Sequence, residues 1–180
     1  MFIANYITLS RIFLIFPVLF LVTDQDNASN WVALVLFVLA GITDHLDGYV
    51  ARRTKTTSPL GALLDLTADK LLICIPLVYL LSFSVNQILI IPSLIILSRE
   101  LIISSFRQFL TESLGNNPVK VSLIAKGKTT IQITAVSFLI VSPSFTQNFY
   151  IVTISLFWLA AYLSIHSLYS YILAYKNLIK

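Results

Sequence analysis

The chain has 180 residues, of which 57% are hydrophobic and 11% are charged, and its mean hydropathy is +0.88. This composition excludes an ordinary soluble domain and predicts a polytopic membrane protein. The formal net charge of +4 could indicate a nucleic-acid partner. Because the chain also contains long apolar runs, the positive charge indicates instead that basic residues orient the chain in a bilayer and contact phosphate groups.

Six apolar stretches follow one another along the chain, each about as long as the 20 or so residues that cross a bilayer as a helix. They cover residues 7–22, 31–50, 60–81, 88–110, 122–141 and 149–173. No linker long enough to separate two domains lies between them. The sequence therefore predicts an all-α, polytopic membrane protein with six transmembrane helices, in which residues 1–180 form a single integral membrane domain.

The basic residues alternate between the ends of these stretches. The connections 23–30, 82–87 and 142–148 contain no Lys or Arg, whereas the opposite ends carry Arg52, Arg53, Lys55, Lys120, Lys126, Lys128, Lys176 and Lys180. Cytoplasmic loops are enriched in Lys and Arg. We therefore expect both termini and the connection between the second and third stretches to face the cytoplasm.

That cytoplasmic connection joins two pairs of carboxylates. Asp44, Asp47, Asp65 and Asp69 fall within 26 positions, although the chain has only eight acidic residues. On helices, the i,i+3 and i,i+4 spacings place each pair on one face. Four converging anions need cations between them, and oxygen ligands select hard ions such as Mg²⁺ or Mn²⁺. An ion pair that merely holds helices together, with Arg52 or Lys70, is the structural alternative.

The fourth and fifth stretches carry further charges. Glu100, Ser104 and Arg107 share a helical stripe that should face the bundle interior. For Glu100 an internal ion pair and a direct role are both open, whereas Arg107 is the better phosphate ligand. The run 126–130 is either a basic cap on lipid headgroups or a phosphate site. Together these residues predict a site for a substrate's own phosphate, apart from a metal-bound one, formed by Arg107, Lys126, Lys128 and Thr129.

The spacing D-x2-D-G-x2-A-R-x8-G-x3-D-x3-D runs unbroken from Asp44 to Asp69. It resembles the signature of the CDP-alcohol phosphatidyltransferase family, the membrane enzymes that make phospholipids. The segments 99–107 and 127–130, and the opening residues Asn5, Thr8, Leu9 and Arg11, resemble the phosphatidylglycerophosphate synthase branch of that family. Leu66 stands where that branch usually has proline, and a proline expected in the opening segment is absent.

The resemblance implies transfer of the phosphatidyl group from CDP-diacylglycerol to sn-glycerol 3-phosphate, with release of CMP, at a bacterial-type cytoplasmic membrane. It implies that two divalent ions are held by Asp44, Asp47, Asp65 and Asp69, and that Asp69 is either the base or a fourth ligand. It implies a homodimer. The donor site that it implies comprises Asp44, Gly48, Ala51, Arg52 and Gly61.

Two other functions are compatible with parts of the sequence. The same chemistry could serve another acceptor, as in a cardiolipin synthase or a phosphatidylinositol phosphate synthase, although a phosphate-free acceptor would not need Arg107, Lys126 and Lys128 together. A divalent-cation transporter could use the four Asp as its ion site. Such a transporter needs polar groups along a path to both faces, and the outer halves of these stretches are nearly devoid of ionisable residues.

Overall fold

The computed structural model describes the backbone of residues 2–24, 26–54, 59–83, 86–114 and 123–179, and the side chains of residues 8–24, 26–43, 61, 63–83, 86–106, 108–109 and 127–173. Six α-helices and one short 3-10 helix account for nearly all of these residues, and no strand occurs among them. The helices are α1 (Phe2–Thr23), α2 (Asn27–Thr54), α3 (Pro59–Phe83), α4 (Gln87–Leu114), α5 (Leu123–Val141) and α6 (Gln147–Ile179), with the 3-10 turn at Ser142–Ser144.

The all-α prediction is confirmed for the described residues, and the described part of each predicted apolar stretch lies on one helix. Three helices continue well beyond the apolar residues, α2 to Thr54, α4 to Leu114 and α6 to Ile179. The hydrophobic pattern marks where lipid or core contacts end, whereas a helix continues as long as its backbone hydrogen bonds can form. Residues 51–54 and 111–114, which follow the second and fourth apolar stretches, are therefore helical too.

Three helical segments are long and apolar enough to cross a membrane, at Leu63–Phe83, Gln87–Phe106 and Gln147–Leu173. Shorter apolar segments occur at Thr8–Thr23 and Asn27–Thr43 within the described part of the chain. Large apolar side chains such as Phe13, Phe16 and Phe20 point outward from α1, which water would not favour but lipid does. The chain is an integral membrane protein, and the number of six spans stays a prediction.

Polar residues begin two of the helices at connections that contain no Lys or Arg. The Asp26 side chain accepts a hydrogen bond from the backbone N–H of Ala28, and the Asn86 side chain accepts one from Ile88. Asp and Asn satisfy N–H groups that the first turn of a helix leaves without intrahelical partners. Pro59 begins α3, where its missing N–H costs nothing.

The chain divides into two compact units, residues 1–85 with 136–151, and residues 86–135 with 152–180. In the first unit, α1 packs against both α2 and α3. Thr23, at the end of α1, shares a hydrogen bond with Tyr79, in the last turns of α3. The carboxyl ends of α1 and α3 therefore lie together.

In the second unit, Ile103 of α4 and Tyr171 of α6 form a buried apolar cluster, with Phe106 and Leu168 packed against it. This cluster joins α4 to α6 beside the polar residues of the second unit, which are described below. That residues 1–180 form a single domain stays a prediction.

Candidate active site

A buried arginine faces the carboxylate pair of α3. Asp65 and Asp69 lie one helical turn apart, and their side chains are 46% and 45% exposed. Arg11 of α1 is fully buried, and its Nη1 lies 2.9 Å from Asp69 Oδ1 and 3.8 Å from Asp65 Oδ1. The shorter distance is a charge-assisted hydrogen bond. One guanidinium nitrogen thus faces an oxygen of both carboxylates.

Residue spacing explains this arrangement. Thr8, Arg11 and Ile15 are buried at i−3, i and i+4 on α1, so Arg11 projects from the face that packs into the first unit. On α3, Ala68 is fully buried between the two carboxylates, and its small side chain suits close packing. Thr23–Tyr79 and Arg11–Asp69 are twelve positions apart along α1 and ten along α3. The two helices therefore run parallel in this unit.

The other half of the predicted carboxylate cluster is on α2. Asp44 and Asp47 are helical, at i and i+3, but their side chains lie outside the described residues, as do those of Gly48, Ala51 and Arg52. Gly61 is half-buried in the first turn of α3. Within the described side chains, no group of three or more Asp, Glu, His or Cys residues comes together. Convergence of all four carboxylates stays a prediction.

A second polar cluster is centred on Glu100 in the second unit. Glu100 Oε1 accepts a hydrogen bond from Lys128 Nζ of α5, and both carboxylate oxygens lie 3.3 Å from Arg99 Nη1. Gln132 Nε2, one turn beyond Lys128, lies 3.4 Å from the same Oε1. The Ser104 hydroxyl donates to the Glu100 backbone carbonyl at 2.6 Å. Glu100 thus ties α4 to α5.

This cluster extends to α6. Arg99 Nη2 donates to Ser167 Oγ at 2.7 Å, and Gln132 Nε2 bonds Ser164 Oγ at 3.2 Å. The two serines are i,i+3 neighbours and buried, and so are Lys128 and Gln132. Polar groups that are removed from water are stable only with hydrogen-bond partners. The cluster therefore cross-links three helices of the second unit.

Two of the four predicted acceptor-site residues have described side chains. Lys128 is buried against Glu100, and Thr129 is half-buried. The side chains of Arg107 and Lys126 lie outside the described residues. The internal ion pair foreseen for Glu100 is present, although its partner on another helix is Lys128 and its arginine partner, Arg99, is the adjacent residue. Phosphate binding by these residues stays a prediction.

Sequence reasoning missed two features of these clusters. It gave Arg11 no role beyond the resemblance, yet an arginine that is the only charged residue of a helix is a signal for an internal partner. It also overlooked Gln132, Ser164 and Ser167, whose i,i+3 or i,i+4 spacing from other polar residues would have placed them on shared faces.

Comparison with known proteins identifies relatives for almost the whole chain. Residues 1–166 match the model of the CDP-alcohol phosphatidyltransferase family. The chain is 37% identical over 176 residues to a protein of Rickettsia typhi, with 96% of each chain covered. It is 34% identical over 174 residues to a protein of Haemophilus influenzae, with 96% of this chain and 92% of the relative covered. Both relatives are named CDP-diacylglycerol--glycerol-3-phosphate 3-phosphatidyltransferase.

The family match, residues 1–166, covers the carboxylate pair on α3 and all of the Glu100 cluster except Ser167. It covers more than half of the chain, and the two relatives exceed 30% identity over nearly their full lengths. The chain belongs to the CDP-alcohol phosphatidyltransferase family.

Proposed function

We propose that the protein transfers the phosphatidyl group of CDP-diacylglycerol to sn-glycerol 3-phosphate, forming phosphatidylglycerophosphate and CMP. The observation that carries this proposal is the half-exposed pair Asp65 and Asp69, which belongs to the family's signature and is held by buried Arg11. The names of the relatives from Rickettsia typhi and Haemophilus influenzae support the choice of donor and acceptor.

The carboxylate pair fits the divalent ions that this family generally uses. Two hard oxygen donors stand one turn apart on α3, and nearly half of each side chain is exposed. We assign the metal site to Asp44, Asp47, Asp65 and Asp69, with two Mg²⁺ or Mn²⁺ ions. Bound ions would neutralise charge on the donor pyrophosphate and favour departure of CMP.

Asp69 is assigned as the base that takes the proton from the acceptor hydroxyl. The hydroxyl oxygen then forms a bond to the phosphorus that carries diacylglycerol, the bond from that phosphorus to CMP breaks, and the proton remains on an Asp69 oxygen. Accepting one hydrogen bond from Arg11 does not exhaust a carboxylate, which has about four lone-pair sites. Asp69 can therefore be both oriented by Arg11 and active towards the acceptor.

The donor site is assigned to Asp44, Gly48, Ala51, Arg52 and Gly61. The small residues at three of these positions leave room for the cytidine nucleotide close to the backbone, and Arg52 can bind its phosphates in bidentate fashion. Two acyl chains remain in the bilayer while the nucleotide reaches the metal site, which is why such a site belongs at the membrane surface.

The acceptor phosphate is assigned to Arg107, Lys126, Lys128 and Thr129. The carboxylate of Glu100, itself 16% exposed, fixes the position of the Lys128 ammonium, which is carried on a long flexible stem. We further propose six transmembrane helices, both termini and the metal site on the cytoplasmic face, and a homodimer. The three connections without Lys or Arg, residues 23–30, 82–87 and 142–148, support this orientation.

The test is CMP release from CDP-diacylglycerol by protein purified in detergent with Mg²⁺. The assay compares sn-glycerol 3-phosphate, phosphatidylglycerol and inositol phosphate as acceptors. Asp69→Asn should lower the rate by about 10²–10⁴-fold, the usual contribution of a general base. Asp24→Asn is the control, because Asp24 is an exposed carboxylate in the turn after α1. CMP release only with phosphatidylglycerol or inositol phosphate would overturn the acceptor assignment. No CMP release with any of the three acceptors would overturn the proposed activity.

A further inference from the structure

Arg11 brings a positive charge to the place where this protein is proposed to bind divalent cations. The guanidinium is fully buried, and it comes from α1, a helix outside the Asp44–Asp69 signature. A cation so placed repels an incoming metal ion, so its presence needs a reason. The ion-free protein supplies one, because Asp65 and Asp69 are like charges at i,i+4 and destabilise the helix that carries them.

We propose that Arg11 is a resident counter-cation of this carboxylate pair, a positioning residue that holds Asp65 and Asp69 together without the ion and lowers their affinity for it. The inference rests on the proposed role of these two carboxylates as metal ligands. In effect, Arg11 and the divalent ion compete electrostatically for the same negative charge. The site would thereby stay folded when empty and release its ion readily.

The geometry favours this role over a simple helix-to-helix tie. Arg11 Nη1 faces Oδ1 of both carboxylates, at 2.9 Å and 3.8 Å, so a single nitrogen serves the pair. The arginine is enclosed by protein, whereas each carboxylate is about half exposed and open to solutes. The Thr23–Tyr79 hydrogen bond fastens α1 to α3 at a second point. Arg11 cannot swing away as a surface side chain does, so its charge continues to act when an ion arrives.

The size of the effect follows from Coulomb's law. One unit charge at about 6 Å from a divalent ion, in surroundings as polar as water, changes the affinity of the ion about tenfold. A less polar environment increases this factor, and added salt reduces it. Removing the charge of Arg11 should therefore tighten ion binding about tenfold or more at low ionic strength.

The experiment titrates Mn²⁺ into the purified full-length protein in detergent and measures free Mn²⁺ by electron paramagnetic resonance. Arg11→Gln removes the charge, and Arg11→Lys keeps it. Ile15→Ala is the matched control, because Ile15 is buried on the same face of α1, one turn away. We expect Arg11→Gln to bind Mn²⁺ about tenfold more tightly than wild type, while Arg11→Lys and Ile15→Ala retain wild-type affinity within about twofold.

Heating the same proteins with and without Mg²⁺ gives a second readout. Arg11→Gln should lose most stability without the ion and regain much of it with the ion, whereas Ile15→Ala should lose the same amount in both. Unchanged or weaker Mn²⁺ affinity in Arg11→Gln would overturn the inference, as would an Arg11→Gln protein that fails to fold even in Mg²⁺ while Ile15→Ala folds.

These measurements are separable from the proposed activity. Asp69→Asn should weaken Mn²⁺ binding if the counted ions occupy this pair, whatever reaction the protein catalyses. A wild-type protein that binds Mn²⁺ as expected but releases no CMP would refute the proposed function and leave the role of Arg11 standing. Normal CMP release by wild type, together with unchanged Mn²⁺ affinity in Arg11→Gln, would refute the role of Arg11 and leave the proposed function standing.

Discussion

Replacing Glu100 by Gln should destabilise the second unit strongly. The substitution keeps the shape of the side chain and removes the negative charge that Lys128 and Arg99 both face. The side chains of Glu100 and Lys128 are only 16% and 3% exposed. At such burial, water does not compensate for the lost charge, so the case differs from that of a surface ion pair, which is worth at most about 1 kcal/mol.

Removing one partner from a buried ion pair typically costs about 3–5 kcal/mol. In a chain of this size, each kcal/mol shifts the unfolding midpoint by about 2–4 °C, so Glu100→Gln should unfold about 6–20 °C lower than wild type. Ser167→Ala is a useful comparison, because it removes only one hydrogen bond to Arg99. Hydrogen bonds between membrane helices average about 0.6 kcal/mol, so its shift should be a few degrees at most.

The assay heats the detergent-solubilised protein and measures the temperature at which half of the monodisperse fraction is lost. Asp24→Asn, which removes an exposed carboxylate, should behave as wild type. Adding Lys128→Met to Glu100→Gln removes one of the two buried cations and should restore at least half of the lost stability. The reasoning is refuted if Glu100→Gln lies within 2 °C of wild type, or if the double variant is no more stable than the single one.

Three further outcomes are expected. In steady-state assays, Lys128→Met should raise the KM for sn-glycerol 3-phosphate about tenfold or more, because a lost hydrogen bond to a charged group is worth about 1.5–3 kcal/mol. The KM for CDP-diacylglycerol should stay within about twofold of wild type. Equal effects on both KM values would contradict the role of Lys128 in binding the acceptor. Ala68→Leu should destabilise the first unit by about 1–3 kcal/mol in the heating assay, since it overfills a fully buried position of α3, whereas Leu66→Ala, at an exposed position, should have little effect. Chelation with EDTA should abolish CMP release, and Mg²⁺ or Mn²⁺ should restore it where Na⁺ does not; full activity in EDTA would exclude the proposed metal role.

The helices themselves could be predicted because a long apolar stretch is typical of a helix, whose backbone hydrogen bonds are satisfied internally as a bilayer requires. Their ends could not, because the extension of α2 to Thr54 or α4 to Leu114 depends on backbone geometry, and the apolar pattern does not report it. The pairing of Asp65 with Asp69 was visible as an i,i+4 spacing on one helix.

Contacts between helices that are far apart in the sequence could not be predicted from it. Arg11 and Asp69 are 58 positions apart, and a single sequence contains the two charges but not the packing of α1 on α3 that joins them. For Glu100, the periodicity indicated an inward-facing side chain and left its partner open between an arginine and a ligand. The choice of Lys128 depends on the approach of α5 to α4 in the second unit, which local spacing does not encode.

The span of 58 residues between Arg11 and Asp69 also has a consequence for biosynthesis. At about 5–20 residues per second, the ribosome completes α1 roughly 3–12 s before it completes the segment that bears Asp69. During that interval α1, one of the six proposed spans, carries an arginine whose two carboxylates do not yet exist. A charge in a membrane-inserted helix costs about 2.5–3.5 kcal/mol at the bilayer centre and less towards the surface, where this pair is proposed to lie. Stable insertion of α1 is therefore expected to depend on the later arrival of α3, which makes the first helix of the chain one of the last to reach its final environment.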